Sequence, residues 1–155
     1  MFKSGKYWLL AVLFMTLVIS GCSTATIVLD IRADEELNQD QHGNNYSVLV
    51  QLYQLKSPEQ FVKADYQLLL ERNPAALGSS LLSIEEFIVE PGQTYRLEFR
   101  REDGALHQGL VAFFRKVEGE QWRTTRALRN GLFRPMTTES EVRFKDNGIY
   151  LIGQH

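Results

Sequence analysis

The sequence predicts an all-β fold, a two-sheet β-sandwich with one inserted helical element. Three observations predict it: seven or eight short apolar or alternating runs bounded by turn residues, no internal repeat, and a single stretch with helical spacing. The 155 residues fit one domain, and 44% apolar with 23% charged residues is an ordinary globular mixture. Collagen-like, coiled-coil and disordered chains are thereby excluded. A single cysteine leaves no intramolecular disulfide and no multi-cysteine zinc site. A formal net charge of −2 argues against nucleic acid as a partner.

Met1 to Gly21 has the layout of a secretory signal. Lys3 and Lys6 form a basic start, and the 13 residues from Tyr7 to Ile19 are apolar apart from Thr16. A membrane-spanning helix needs about 20 such residues, so the run is too short to span. It ends in Ile19-Ser20-Gly21-Cys22, an aliphatic residue and two small ones before the only cysteine. That order resembles a bacterial lipobox, with the Cys22 thiol as the nucleophile that accepts diacylglycerol. Residues 1–21 are therefore expected to be removed, leaving a lipidated periplasmic domain of residues 22–155. Ser23 is not the aspartate of inner-membrane retention signals, so the resemblance implies sorting to the outer membrane, facing the periplasm.

The elements follow in order. Thr26 to Arg32 alternates, with Ile27, Leu29 and Ile31 on one face and Asp30 and Arg32 on the other, the pattern of a half-buried strand. Leu37 to Asn45 is polar and reads as a loop. Ser47 to Leu55 is apolar on both faces and suits a central strand. Ser57, Pro58 and Gln60 are the residues of a helix start, and Phe61, Ala64, Leu68 and Leu69 continue at helical spacing until Asn73-Pro74. Phe87 to Glu90 and Thr94 to Phe99 flank Pro91-Gly92, a type II turn. Leu110 to Val117 is a further apolar strand, with Trp122 to Ala127 as its expected partner. Val142 and Phe144 lead to Asn147-Gly148, a hairpin signal, and then Ile149 to Ile152. Val50, Leu52, Phe99 and Phe113 are expected core residues.

Chemistry is sparse. His42, His107 and His155 lack metal-ligand spacing and read as solvated residues. No nucleophile elbow, phosphate loop or metalloprotease helix motif is present. Asp34-Glu35-Glu36 and Glu85-Glu86 are acidic runs, but neighbours on a strand point to opposite faces, so a solvated edge is the better reading. Neither a catalytic site nor a cofactor, metal or small-molecule substrate is expected. The one charge asymmetry is Arg115 to Arg134, with Arg115, Lys116, Arg123, Arg126, Arg129 and Arg134 against Glu118 and Glu120. It reads either as an anion-facing patch or as a solvated face.

Val48 to Lys56, Phe61, Ala64-Asp65-Tyr66, Glu86-Phe87, Pro91-Gly92, Gly109 to Arg115 and Trp122-Arg123, in that order and together with Cys22, resemble the TssJ family. These are outer-membrane lipoproteins of the type VI secretion system. The resemblance implies a transthyretin-like β-sandwich with an extra helical element and a non-enzymatic role. It implies anchoring of the secretion membrane complex to the outer membrane and binding of the periplasmic part of the inner-membrane protein TssM. The partner-binding loop that it implies joins the first two strands: Leu37, Asn38, Gln39, Asp40, Gln41, His42, Gly43, Asn44 and Asn45. A glycan- or peptidoglycan-binding lipoprotein module and a periplasmic enzyme inhibitor are the alternatives.

Overall fold

The computed structural model describes residues 24–154 except 72, 73, 118 and 133. The expected signal segment Met1–Gly21, the lipidation residue Cys22, the start of the mature chain and His155 lie outside the described residues. Two four-stranded sheets form a sandwich. The first contains β1 (Thr26–Leu37), β4 (Thr94–Arg100), β7 (Thr138–Asp146) and β8 (Gly148–Gln154), in the order β4-β1-β7-β8. The second contains β2 (Val48–Leu55), β3 (Leu81–Val89), β5 (His107–Phe113) and β6 (Arg123–Ala127), in the order β3-β2-β5-β6. Neighbours are antiparallel except β1 with β7, which run parallel.

Alternation sets the facing of β1. Ile27, Leu29 and Ile31 are fully buried in the core, while Asp30 and Asp34 lie on the outer face, paired to Arg96 at 2.7 Å and Arg143 at 3.0 Å. The strand continues beyond the expected end at Arg32. Arg143 on β7 partners Asp34, and the Ala33 N–H donates to Gln93 O at 2.9 Å, so the acidic run is held within the strand. Leu37, expected in the loop, is instead the last residue of β1 and fully buried.

The two faces of β2 bury for different reasons. Val50 and Leu52 join the sandwich core, and next along that face Gln54 donates to Arg100 O on β4 at 2.8 Å. The opposite face is roofed by the helical insertion. The Phe61 ring sits 5.2 Å from the Tyr53 ring and above Gly109, which pairs with Tyr53 across β5. A Cβ at Gly109 would lie 2.6 Å from Phe61 Cζ, so only glycine admits the ring.

That insertion is not one helix but two short ones, α1 (Glu59–Lys63) and α2 (Tyr66–Leu70), followed by a 3-10 turn over Pro74–Ser80. Ala64 turns extended with ψ 138°, and the Asp65 carboxylate accepts the Leu68 N–H at 2.7 Å, starting a second helix. Ser57 does not cap α1. Pro58 is the N-cap, and the Ser57 hydroxyl bonds the Glu59 carboxylate, which lowers that group's pKa. Arg123 closes the other end of α1 by donating to the carbonyls of Phe61, at 3.1 Å, and Ala64.

Both expected turns form, with changed roles. Gly92 takes φ 71° and Gln93 N–H returns to Glu90 O, but the turn carries the chain from β3 in one sheet to β4 in the other. In the β7–β8 hairpin Lys145 pairs with Gly148, so Asp146, at φ 54°, and Asn147 form the loop. Val50 and Leu52 are core residues as expected, whereas Phe99 and Phe113 are half-buried and pack against the core from its edge.

Candidate functional site

The sandwich has two ends with different contents. At one end Thr24 and Ala25 enter β1; at the other, β1 delivers the chain to the connection between Leu37 and Val48. Asn38 fixes that connection's base. It is buried at φ 52°, donates through Nδ2 to Ser47 O at 2.8 Å, and accepts the Arg115 N–H at Oδ1 at 2.8 Å. Leu37 and Asn38 therefore support the loop from beneath and present little surface to a partner.

Asp40 organises what stands above. Its Oδ1 accepts the backbone N–H of His42 at 2.8 Å and of Asn44 at 3.0 Å. Its Oδ2 accepts Asn44 Nδ2 at 3.0 Å and the Tyr46 hydroxyl at 3.1 Å. Gly43 supplies the positive φ of 80° that turns the chain, and Gln39 donates to Asn45 Oδ1 at 3.0 Å. The short polar side chains of Asp and Asn make this kind of local closure in place of a strand ladder. Gln41, His42, Asn44 and Asn45 are left exposed on a loop whose backbone is already ordered.

These bonds, the Asn44 side chain first, hold the Asp40 carboxyl at about 2, below its ordinary 3.8. A depressed carboxyl favours the ordered loop above its ordinary value and loses that contribution as pH falls through about 2. The His42 and Asn44 amides are thus expected to stay protected near pH 5 and to lose protection, relative to intrinsic exchange at the same pH, toward pH 2. Hydrogen exchange followed by NMR checks this; protection unchanged down to pH 2 would remove Asp40 from its organising role.

Sequence reasoning missed the groove beside the loop. Gln39, Asp40 and Gln41 line it together with Arg115, Lys116 and Asn147, around a volume of about 630 Å³. The Arg115 guanidinium lies 4.4 Å over the Tyr46 ring. Arg115 and Lys116 were visible only as the start of the basic stretch, and that stretch is not one patch. Arg123 is spent on α1 and on Glu120 at 2.7 Å, and Arg126 donates to Gly153 O at 2.7 Å. Arg134 sits at the opposite end, beside Ala25.

The other candidates stay apart. His42 is exposed on the loop, whereas His107 begins β5 half-buried, its Nδ1 buried without a hydrogen-bond partner, so it is not a solvated histidine. Glu86 accepts from Gln51 Nε2 at 2.6 Å across the β2–β3 pair. Among the described residues no cluster of three His, Cys, Asp or Glu side chains could hold a metal ion, and no helix is long and apolar enough to cross a membrane.

Comparison with solved structures gives the same fold repeatedly. The T6SS lipoprotein TssJ1 from Pseudomonas aeruginosa matches with a TM-score of 0.76 at 23% identity, over 85% of this chain and 97% of that one. A chain of a type VI membrane complex matches with a TM-score of 0.73 at 26% identity, over 84% and 99%. A chain in the structure described as T6SS protein TssM C-terminal domain (869-1107) from EAEC matches with a TM-score of 0.66 at 28% identity, over 83% and 98%. No match was found among curated proteins. The family model T6SS-SciN, for type VI secretion lipoprotein, VasD, EvfM, TssJ, VC_A0113, matches residues 25–146, from the entry into β1 to the end of β7. The chain belongs to this family of type VI secretion lipoproteins.

Proposed function

We propose that the protein is the outer-membrane anchor of the type VI secretion membrane complex, held by lipid on Cys22 and binding the periplasmic domain of TssM through the Gln39–Asn45 loop. The observation that carries this reading is the loop itself. It is ordered by Asp40, exposes polar side chains, and stands at the end of β1 remote from the membrane-directed terminus. A pre-ordered loop on a rigid sandwich binds with less loss of conformational freedom than a mobile one. The chain matched in the EAEC structure is covered at 98% by 83% of this one, so it is shorter than 155 residues and cannot be the whole of residues 869–1107. That a chain of this fold occurs in a structure described by that domain supports a link between the fold and TssM. The reading is of a structural adaptor, with no catalytic step and no cofactor beyond the lipid.

Two measurements test it. Pull-down from solubilised membranes should recover the large inner-membrane protein; recovery of a glycan or a small hydrolase in its place would overturn the partner assignment. Cys22→Ser should abolish acyl labelling and release a folded domain, because the sandwich begins beyond that residue, at Thr26. A Cys22→Ser protein that still carries fatty acid and fractionates with outer membrane would overturn the lipidation.

A further inference from the structure

We infer that the lobe between β6 and β7, formed by residues 128–132 and 134–137, is a membrane-contact element that seats the sandwich on the bilayer surface. The inference rests on the anchoring proposed above and adds a second point of contact to it. Leu132 at the lobe's tip is 89% exposed, the most exposed large apolar side chain among the described residues, and Met136 is also exposed. A lone exposed leucine is ordinary. This one differs in where it stands and in how firmly it is held.

The lobe lies at the end where the chain enters. Thr26 N–H donates to Thr137 Oγ1 at 3.4 Å, and Ala25 lines a small hollow with Arg134, Pro135, Met136 and Thr137. If Cys22 carries the lipid, three residues separate it from β1, a reach of roughly 11 Å. A bilayer held at that distance lies within reach of the chain-entry end, where the lobe stands beside Thr24 and Ala25.

The lobe is also built to keep its shape. Asn130 bridges to Pro135, Gly131 N–H donates to Arg134 O at 2.9 Å, and Met136 N–H donates to Arg129 O at 3.2 Å. Beneath it Arg101 is buried, 4% exposed, and among the described residues its hydrogen bonds go to carbonyl oxygens and one side-chain amide. Its guanidinium donates to Arg129 O, to Met136 O at 3.2 Å, to Asn130 Oδ1 at 2.7 Å and to Ala105 O. Burial lowers its pKa from the usual arginine value, a cost the five-donor fork offsets by tying both arms of the lobe together. Arg100 and Arg134 are exposed around the hollow between the lobe and the chain entry and suit phosphate headgroups; Glu102 and Asp103, also there, keep the surface from being strongly basic. The apolar tip and paired arginines fit the interfacial region of a membrane.

The test places an environment-sensitive thiol probe on Leu132→Cys in the full-length lipoprotein, reconstituted in vesicles containing brominated lipid. Gln41→Cys at the far end is the comparison, and labelling of the unsubstituted protein reports whether the Cys22 thiol is free. The probe at 132 should be quenched at least roughly twofold more than the probe at 41. Equal quenching at both positions on protein that sediments with vesicles would overturn this inference and leave the anchoring intact. Protein that does not sediment would overturn both.

Discussion

Phe61→Ala is expected to destabilise the domain by roughly 3–5 kcal/mol, the usual cost of deleting a buried aromatic ring. The ring is fully buried between the Tyr53 ring and the backbone of β5 at Gly109, and it fixes α1 over the outer face of the second sheet. Without it that face of β2, including Tyr53, loses its roof. Gly109→Ala approaches the same contact from the other side, since the new methyl would fall 2.6 Å from Phe61 Cζ. Overpacking of this kind costs about 1–3 kcal/mol. The two changes share one volume, so the double variant should be less destabilised than the two single effects combined. Denaturant melts of the four proteins decide it. Strict additivity would show that the ring does not rest on the glycine.

The second large effect concerns binding and not folding. Asp40→Ala should leave the melting temperature little changed, because the carboxylate touches only the loop and Tyr46. Affinity for the periplasmic TssM domain should fall at least roughly tenfold, since the partner must then order a loop that Asp40 formerly held. Calorimetry gives the affinity, and amide exchange at His42 and Asn44 shows whether the loop has loosened. Loosened amides with unchanged affinity would mean that the loop is not the contact surface, whatever its order.

How much of this was legible depended on whether neighbours in sequence were neighbours in space. The strands were readable because Ile27, Leu29 and Ile31 report burial by alternation alone, and β2 reported burial on both faces by its lack of alternation. The end of β1 was not readable, because the partner that makes Asp34 acceptable in a strand, Arg143, lies on β7, far along the chain. The split of the helical insertion had a local cause, the Asp65 cap, but Phe61, Ala64 and Leu68 keep helical spacing straight through the break and concealed it. Asp40 could be placed in a loop but not ranked above its neighbours, since its role depends on which of its oxygens meet which amides. The basic stretch misled because strands carry its arginines to opposite ends of the molecule.

β1 has a mechanical consequence in the proposed arrangement. Its first residue adjoins the membrane-directed terminus and its last adjoins the partner-binding loop, with about 35–40 Å of extended chain between them. A pull between outer membrane and partner would run along this single strand. β4 flanks it on one side and β7 on the other, bonded over Thr26–Arg32 and Ile27–Ala33 respectively. Such a load is carried by the covalent backbone of an already extended strand, and it neither shears nor peels the bonds to β4 and β7. The domain is thereby expected to behave as a stiff link under tension, which single-molecule pulling between residue 24 and the loop would register as little extension and no unfolding step.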